Sequence, residues 1–229
     1  MARKGRLRRM AGRRGFPLRH GANRPMIGHH PPVTRDADMN LTHLTIKAEP
    51  LTRASFAPYG DVLAPTPGRI DNNTLLDGGY ARMSDPVPGT RRDDFDVLDY
   101  WGDIATISRD TMRLGYLRTK KRPLAFSWFE RHLKGNQSFM PLGGVDSVIC
   151  VGLASNPALG TLPDLGTVKA FRMDGSAGIN LHPGTWHWTP FPVGDAADFI
   201  ILVREAVVDD DLHFIDLEAR MNTRIEIVL

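Results

Sequence analysis

Apolar and polar positions alternate in short runs along most of this chain, with Gly, Pro and Asn clusters between them. Alternation of period two places successive side chains on opposite faces of a strand. Strands are therefore predicted over Leu44 to Ala48, Thr111 to Leu117, Leu124 to His132, Ser147 to Leu153, Val168 to Met173, Gly178 to Leu181 and Phe199 to Glu205. Thr52 to Ala57 reads as a short capped helical turn, and Tyr59 to Leu63 as a turn leading into a strand. The tail from Asp209, with Leu212, Ile215 and Leu217, reads as a short helix followed by a strand. Many short strands separated by turn residues favour an antiparallel sandwich or barrel over βαβ units. Residues 64–103 are rich in Asp, Gly, Pro and Asn without clear period, and suggest a long loop acting as a lid or an interface.

Composition adds bounds. The 229 residues suit one domain with an appendage, and 41% hydrophobic with 24% charged residues is ordinary for a globular protein. The lone Cys150 precludes an internal disulfide, fits a reducing, cytoplasmic setting, and sits in an apolar strand as a small hydrophobe. No apolar run has the length of a membrane span. Residues 1–38 carry ten basic side chains against Asp36 and Asp38; with these set aside, 19 basic residues face 24 acidic ones, a formal net charge of −5. That balance argues against nucleic-acid binding by the remainder. Arg13-Arg14 is followed by no apolar export segment. The head is expected to be a disordered basic extension or to precede the true start at Met39, leaving 39–229 as a single domain.

Candidate chemistry concentrates in two places. In Glu130-Arg131-His132, alternation turns Glu130 and His132 to one side and Arg131 to the other. Beyond the Gly135-Asn136 turn, Gln137 opens a further strand with an amide oxygen. Fifty residues on, Pro183-Gly184 in His182-Pro183-Gly184-Thr185-Trp186-His187 forms a turn that brings His187 back toward the same interior. A buried Glu130 needs a cation or an arginine opposite it. Glu130, His132, Gln137 and His187 are the expected metal ligands, with Gln137 alternatively holding water or substrate. A mixed nitrogen and oxygen donor set suits Ni, Mn, Fe or Zn. Asn180 and His182 share a face by alternation and are expected to look into the metal's interior. His182 is then a proton carrier or a histidine orienting a ligand, and Asn180 a substrate contact. Trp186 and Trp188 are expected to pack on the opposite side. Arg82, Lys169 and Arg172 are candidates for an anionic substrate.

These residues resemble a known family. Glu130-Arg131-His132 with Gly135, Gln137, Phe139 and Pro141-Leu142 is similar to the central signature of ureidoglycolate lyases, and Gly178 to His182 with Gly184, Trp186 and His187 to their second signature. Phe56 to Val62 and Asp198-Phe199 add flanking matches, so the resemblance spans roughly residues 44–205. It implies an all-β, cupin-type double-stranded β-helix (jelly-roll) barrel with a few short helices. It further implies a cytoplasmic homodimer that splits ureidoglycolate, a small anion, into glyoxylate and urea with a divalent metal, commonly nickel. Glu130 is the natural base should metal be absent. Two departures stand out: Trp188 replaces the family's usual second histidine, and 71–103 matches poorly, although Asn72-Asn73 and Tyr80-Ala81-Arg82 resemble segments of the substrate pocket there. The alternatives are another hydroxy-acid or sugar-acid cupin enzyme (an isomerase or dioxygenase) and a non-catalytic ligand-binding cupin.

Overall fold

Thr52 caps the first helix: its hydroxyl accepts the Ser55 amide while the Ser55 side chain returns to Thr52, closing a capping box over α1 (Arg53–Phe56). Phe56 from that turn is fully buried. In the computed structural model, which describes residues 41–66, 104–153 and 161–229, this turn joins the first two of fourteen strands. All described residues belong to one unit, Ala37–Leu229. The predicted loop 64–103 and Arg82 lie mostly or wholly outside the described residues, as do 1–38. No helix among the described residues is long and apolar enough to cross a membrane.

The strands are β1 (Thr42–Pro50), β2 (Gly60–Leu63), β3 (Met112–Lys120), β4 (Ala125–Phe126), β5 (Trp128–Arg131), β6 (Gln137–Leu142), β7 (Ser147–Gly152), β8 (Lys169–Met173), β9 (Gly178–Leu181), β10 (Trp186–His187), β11 (Phe191–Pro192), β12 (Ala196–Arg204), β13 (His213–Asp216) and β14 (Thr223–Val228). They form a five-stranded sheet in the order β2-β9-β6-β12-β3 and a nine-stranded sheet in the order β13-β5-β10-β7-β8-β1-β14-β4, with β11 also on β7. The two sheets share a core of Val62, Phe139, Ile149, Val151, Phe171, Ile179, Leu181 and Phe199. This is the expected cupin-type jelly-roll, with short helices α2 (Val207–Asp210) and α3 (Leu217–Met221) near its end.

A second core lies behind the larger sheet. Val148, Cys150, Trp186, Phe129 and Phe191 pack there against Ile215, Leu217, Ile225 and Ile227 from the C-terminal segment. Covered on both faces, β7 is buried at all six positions and reads as a continuous apolar run. Burial pushes the Cys150 thiol far above its ordinary value, so it packs as a small hydrophobe.

Three details differ from the sequence reading. The predicted strand 124–132 breaks at Ser127, because β4 pairs with β14 while β5 pairs with β10 and β13. The Ser127 carbonyl at the break accepts the Leu217 amide at 2.6 Å. The tail holds two helix-then-strand units rather than one. Pairing is not wholly antiparallel either, since β1 runs parallel to both β14 and β8.

Candidate metal centre

Two crossings between the sheets build the site. The chain leaves β5 in the large sheet, turns through residues 132–136, and enters β6 in the small one. It returns through Pro183-Gly184 from β9 to β10. Gly184 sits at φ 89°, a left-handed conformation that a side chain would strain, and its amide donates to the His132 carbonyl at 2.6 Å. The turns are thus stitched together. Register then places Glu130 directly opposite His187 on neighbouring strands. Gly60, where β2 pairs with β9, is constrained by close approach instead, since a Cβ there would run into the Asn180 carbonyl oxygen.

The structure brings four of the expected residues together. Ligating atoms of Glu130, His132 and His187 all lie within 4.8 Å of one another. Gln137 Oε1 is 3.1 Å from His132 Nε2 and 2.7 Å from His187 Nε2, and His187 Nε2 is 3.3 Å from Glu130 Oε1. Both histidines are almost wholly buried, and Phe139 meets the His187 ring edge-on at 6.2 Å.

The hydrogen-bonding partners set the chemistry of this cluster. His132 Nδ1 lies 3.0 Å from the Asp211 carbonyl, and His187 Nδ1 lies 3.0 Å from the Thr185 carbonyl. A carbonyl only accepts, so each Nδ1 carries the proton and each neutral ring turns its Nε2 lone pair inward. Two imidazole nitrogens, a carboxylate oxygen and an amide oxygen therefore converge without a proton to share. A divalent cation satisfies such a set; ring protonation, or a Gln137 amide turned to present its NH₂, are the metal-free alternatives. Burial and the neighbouring His187 hold His132 below its ordinary pKa despite the Asp211 carbonyl, Glu130 and Gln137, which opposes protonation. Burial by itself would raise Glu130; in the ring-protonated alternative the hydrogen bond and charge of His187, with the charge of His132, outweigh burial and lower it. The donors fit a first-row divalent metal.

Other expectations need correction or fall elsewhere. Asn180 and His182 do not share the metal's interior. Ile179 and Leu181 fill that side of β9, so alternation turns Asn180 to the opposite face. Asn180 there accepts from Ser138 at 2.9 Å and donates to Asp61 at 3.0 Å and to the Thr106 carbonyl at 3.3 Å. His182 follows it, with Nε2 3.4 Å from Asp61. Arg131 does turn away from the cluster, its guanidinium 4.4 Å above the Trp186 ring. Trp186 and Trp188 pack in the second core. Lys169 pairs with Glu49 and Arg172 with Asp146 on the surface. The sequence reading missed Asp211, whose only signal was an acidic run, Asp209-Asp210-Asp211, beside apolar Leu212.

The ureidoglycolate lyase family matches this chain over residues 43–224. A ureidoglycolate lyase of Pseudomonas fluorescens strain Pf0-1 is 30% identical over 182 residues, covering 77% of this chain and 95% of that protein. That of strain SBW25 is 31% identical over 180 residues, covering 77% and 95%. A third, from Pseudomonas entomophila L48, is 31% identical over 160 residues, covering 70% and 84%. A solved RmlC structure from Streptococcus suis covers 41% of this chain and 44% of its own at 13% identity and TM-score 0.29; the fold assignment rests on this protein's own sheets. The chain belongs to the ureidoglycolate lyase family.

Proposed function

We propose that this member of the ureidoglycolate lyase family is a lyase that cleaves ureidoglycolate to glyoxylate and urea. The observation that carries this reading is the convergence of Glu130, His132, Gln137 and His187 as four lone-pair donors between the two sheets' crossings, in a chain matching the family from 43 to 224. These four residues would hold a divalent metal, and by family resemblance nickel is the first expectation, ahead of Mn, Fe or Zn. When bound, such a metal lowers the pKa of a coordinated hydroxyl and stabilises a developing carbonyl oxygen.

Ureidoglycolate is a hemiaminal whose central carbon bears a carboxylate, a hydroxyl and a ureido nitrogen. Cleavage removes the hydroxyl proton, forms C=O, breaks the C–N bond and returns a proton to the departing nitrogen, so glyoxylate and urea account for every atom. Glu130 is our choice for moving that proton: it is a carboxylate and, at 13% side-chain exposure, is the least buried of the four. His182, set against Asp61 on the other face of β9, takes no part in that transfer. His132, His187 and Gln137 fix the site's shape, while Phe139 supplies an apolar wall that excludes water. Arg82 is retained as the proposed partner of the substrate carboxylate. We further assign the protein to the cytoplasm as a homodimer, with catalysis confined to 39–229.

Elemental analysis of the purified protein, run beside an assay for urea and glyoxylate release, tests this reading. The expected result is about one metal per chain and product release that a chelator removes and metal restores. A metal-loaded protein that leaves ureidoglycolate intact overturns it.

A further inference from the structure

We propose that Asp211 is a positioning residue that grips His132 from two sides and sets which of its nitrogens faces the cluster. Its buried carboxylate accepts the Leu133 amide at 2.7 Å and the Lys134 amide at 3.0 and 3.1 Å. These are the two backbone N–H groups directly after His132. The Asp211 carbonyl, at the other end of the same residue, takes the ring's Nδ1 at 3.0 Å. One residue therefore fixes both the main chain that follows His132 and the orientation of its ring.

The surroundings hold Asp211 in turn. Arg204 is buried, packs against Gly135 of the same turn, and pairs with Asp210. Lys134 Nζ reaches Asp210 at 2.7 Å. Arg204 Nε and His213 Nε2 each stand 3.9 Å from an Asp211 carboxylate oxygen. Strand β13, which begins two residues later, pairs with β5 and places Phe214 opposite Glu130. The C-terminal segment is thus built into one side of the metal centre. His187 has no such dependence, because its Nδ1 is held by Thr185, two residues away in its own turn. Loss of the Asp211 carboxylate frees two partly buried amides, shifts the carbonyl, and lets the His132 ring exchange tautomers while His187 stays fixed.

The metal part of this inference rests on the reading of the cluster given above; the tautomer part does not. The test compares wild type with Asp211→Ala and Asp211→Asn by ¹⁵N NMR of the histidine rings in metal-free protein and by titration with Ni²⁺. In wild type both rings should show the Nδ1–H form. In Asp211→Ala the His132 signals should move toward a tautomer mixture, the His187 signals should stay, and Ni²⁺ affinity should fall roughly 10–100-fold, the usual effect of removing a group that orients a ligand. Asp211→Asn keeps an acceptor oxygen for the two amides and should restore affinity to within about 3-fold of wild type. Should Asp211→Ala not fold, Asp211→Ser, too short to reach both amides, is read the same way. Unchanged His132 signals in a folded variant overturn the proposal, as does equal disturbance of both rings. Wild type that shows the two Nδ1–H rings but takes up no metal leaves the clamp standing and overturns the metal reading alone.

Discussion

Adjacent residues of β6 face two different clusters, and the contrast shows what makes a site. Gln137 looks inward to Glu130, His132 and His187; Ser138 looks outward to Asn180, Asp61 and His182. Each cluster holds a carboxylate, an amide and histidine. The outer one is complementary, with each donor finding an acceptor from Ser138 through Asn180 to Asp61, and its ends are open to solvent: His182 is 42% exposed and Asp61 32%. Partly exposed pairs of this kind contribute about 0–1 kcal/mol. The inner cluster is buried and, with both Nδ1 atoms protonated and Gln137 Oε1 turned to the rings, presents acceptors alone, a set that a cation completes. Residue types do not separate the two. The surplus of lone pairs does.

Removal of a donor attacks that surplus directly and should have the largest effect. Glu130→Ala, His132→Ala and His187→Ala should each abolish stoichiometric metal by elemental analysis and lower turnover by about 10³-fold or more, corresponding to the several kcal/mol a Lewis acid supplies. Circular dichroism should stay that of the folded barrel, whose interior is built by residues such as Ile149, Phe171 and Phe199. Full metal occupancy in all three variants would erase the distinction between the clusters.

Gln137→Leu is the sharper instrument, because it removes the oxygen shared by both rings while keeping volume and burial. Metal affinity should drop about 10–100-fold without loss of the site. An unchanged dissociation constant would limit Gln137 to bridging the two histidines in the metal-free protein.

Much of this was readable in the sequence, and the failures share a cause. The strand pattern gave the barrel, and Pro183-Gly184 gave the turn that returns His187, because both depend on neighbours in the chain. The convergence of Glu130, His132, Gln137 and His187 was legible for the same reason: alternation places Glu130 and His132 together, and the turn signals place Gln137 and His187. Alternation also applies to β9, yet the face of a strand is known only once one residue is anchored. Ile179 and Leu181 anchor it inward, which sends Asn180 out. Asp211 was invisible because its partners lie 77 to 79 residues away.

Acidity provides a third way to test the contrast. His132 and Glu130 both have pKa values lowered by folding, so each binds fewer protons in the native state than in the unfolded one. The His132 contribution is fully present above its unfolded value of 6.5 and is lost as pH falls below it; the Glu130 contribution follows below 4.5. The melting temperature of metal-free protein should therefore fall by a few degrees between about pH 7 and pH 5, on the scale of ~2–4 °C per kcal/mol for a chain of this size. His132→Gln should flatten that slope. A melting temperature that rises over the same interval would mean that the metal-free cluster takes up a proton in place of a cation, and that burial does not hold His132 below its ordinary value.

The smallest expected effect lies on the outer face. His182→Gln removes an imidazole paired with Asp61 but disturbs neither the inner cluster nor the Leu181 side chain that packs inside. Metal content should be unchanged, kcat/KM should stay within about 3-fold of wild type, and the pH-rate profile should keep both limbs. A positioned acid or base is worth roughly 10²–10⁴-fold, so the two outcomes are well separated. A fall of that size with metal retained would place a moving proton on the outer face and return His182 to the reaction. Because Asp61 accepts from Asn180 as well as from His182, Asp61→Asn should be equally mild if the cluster is a closed network of hydrogen bonds. A large loss in both variants, with the same limb of the pH profile missing, would make Asp61 and His182 a working pair and reduce the inner cluster to binding alone.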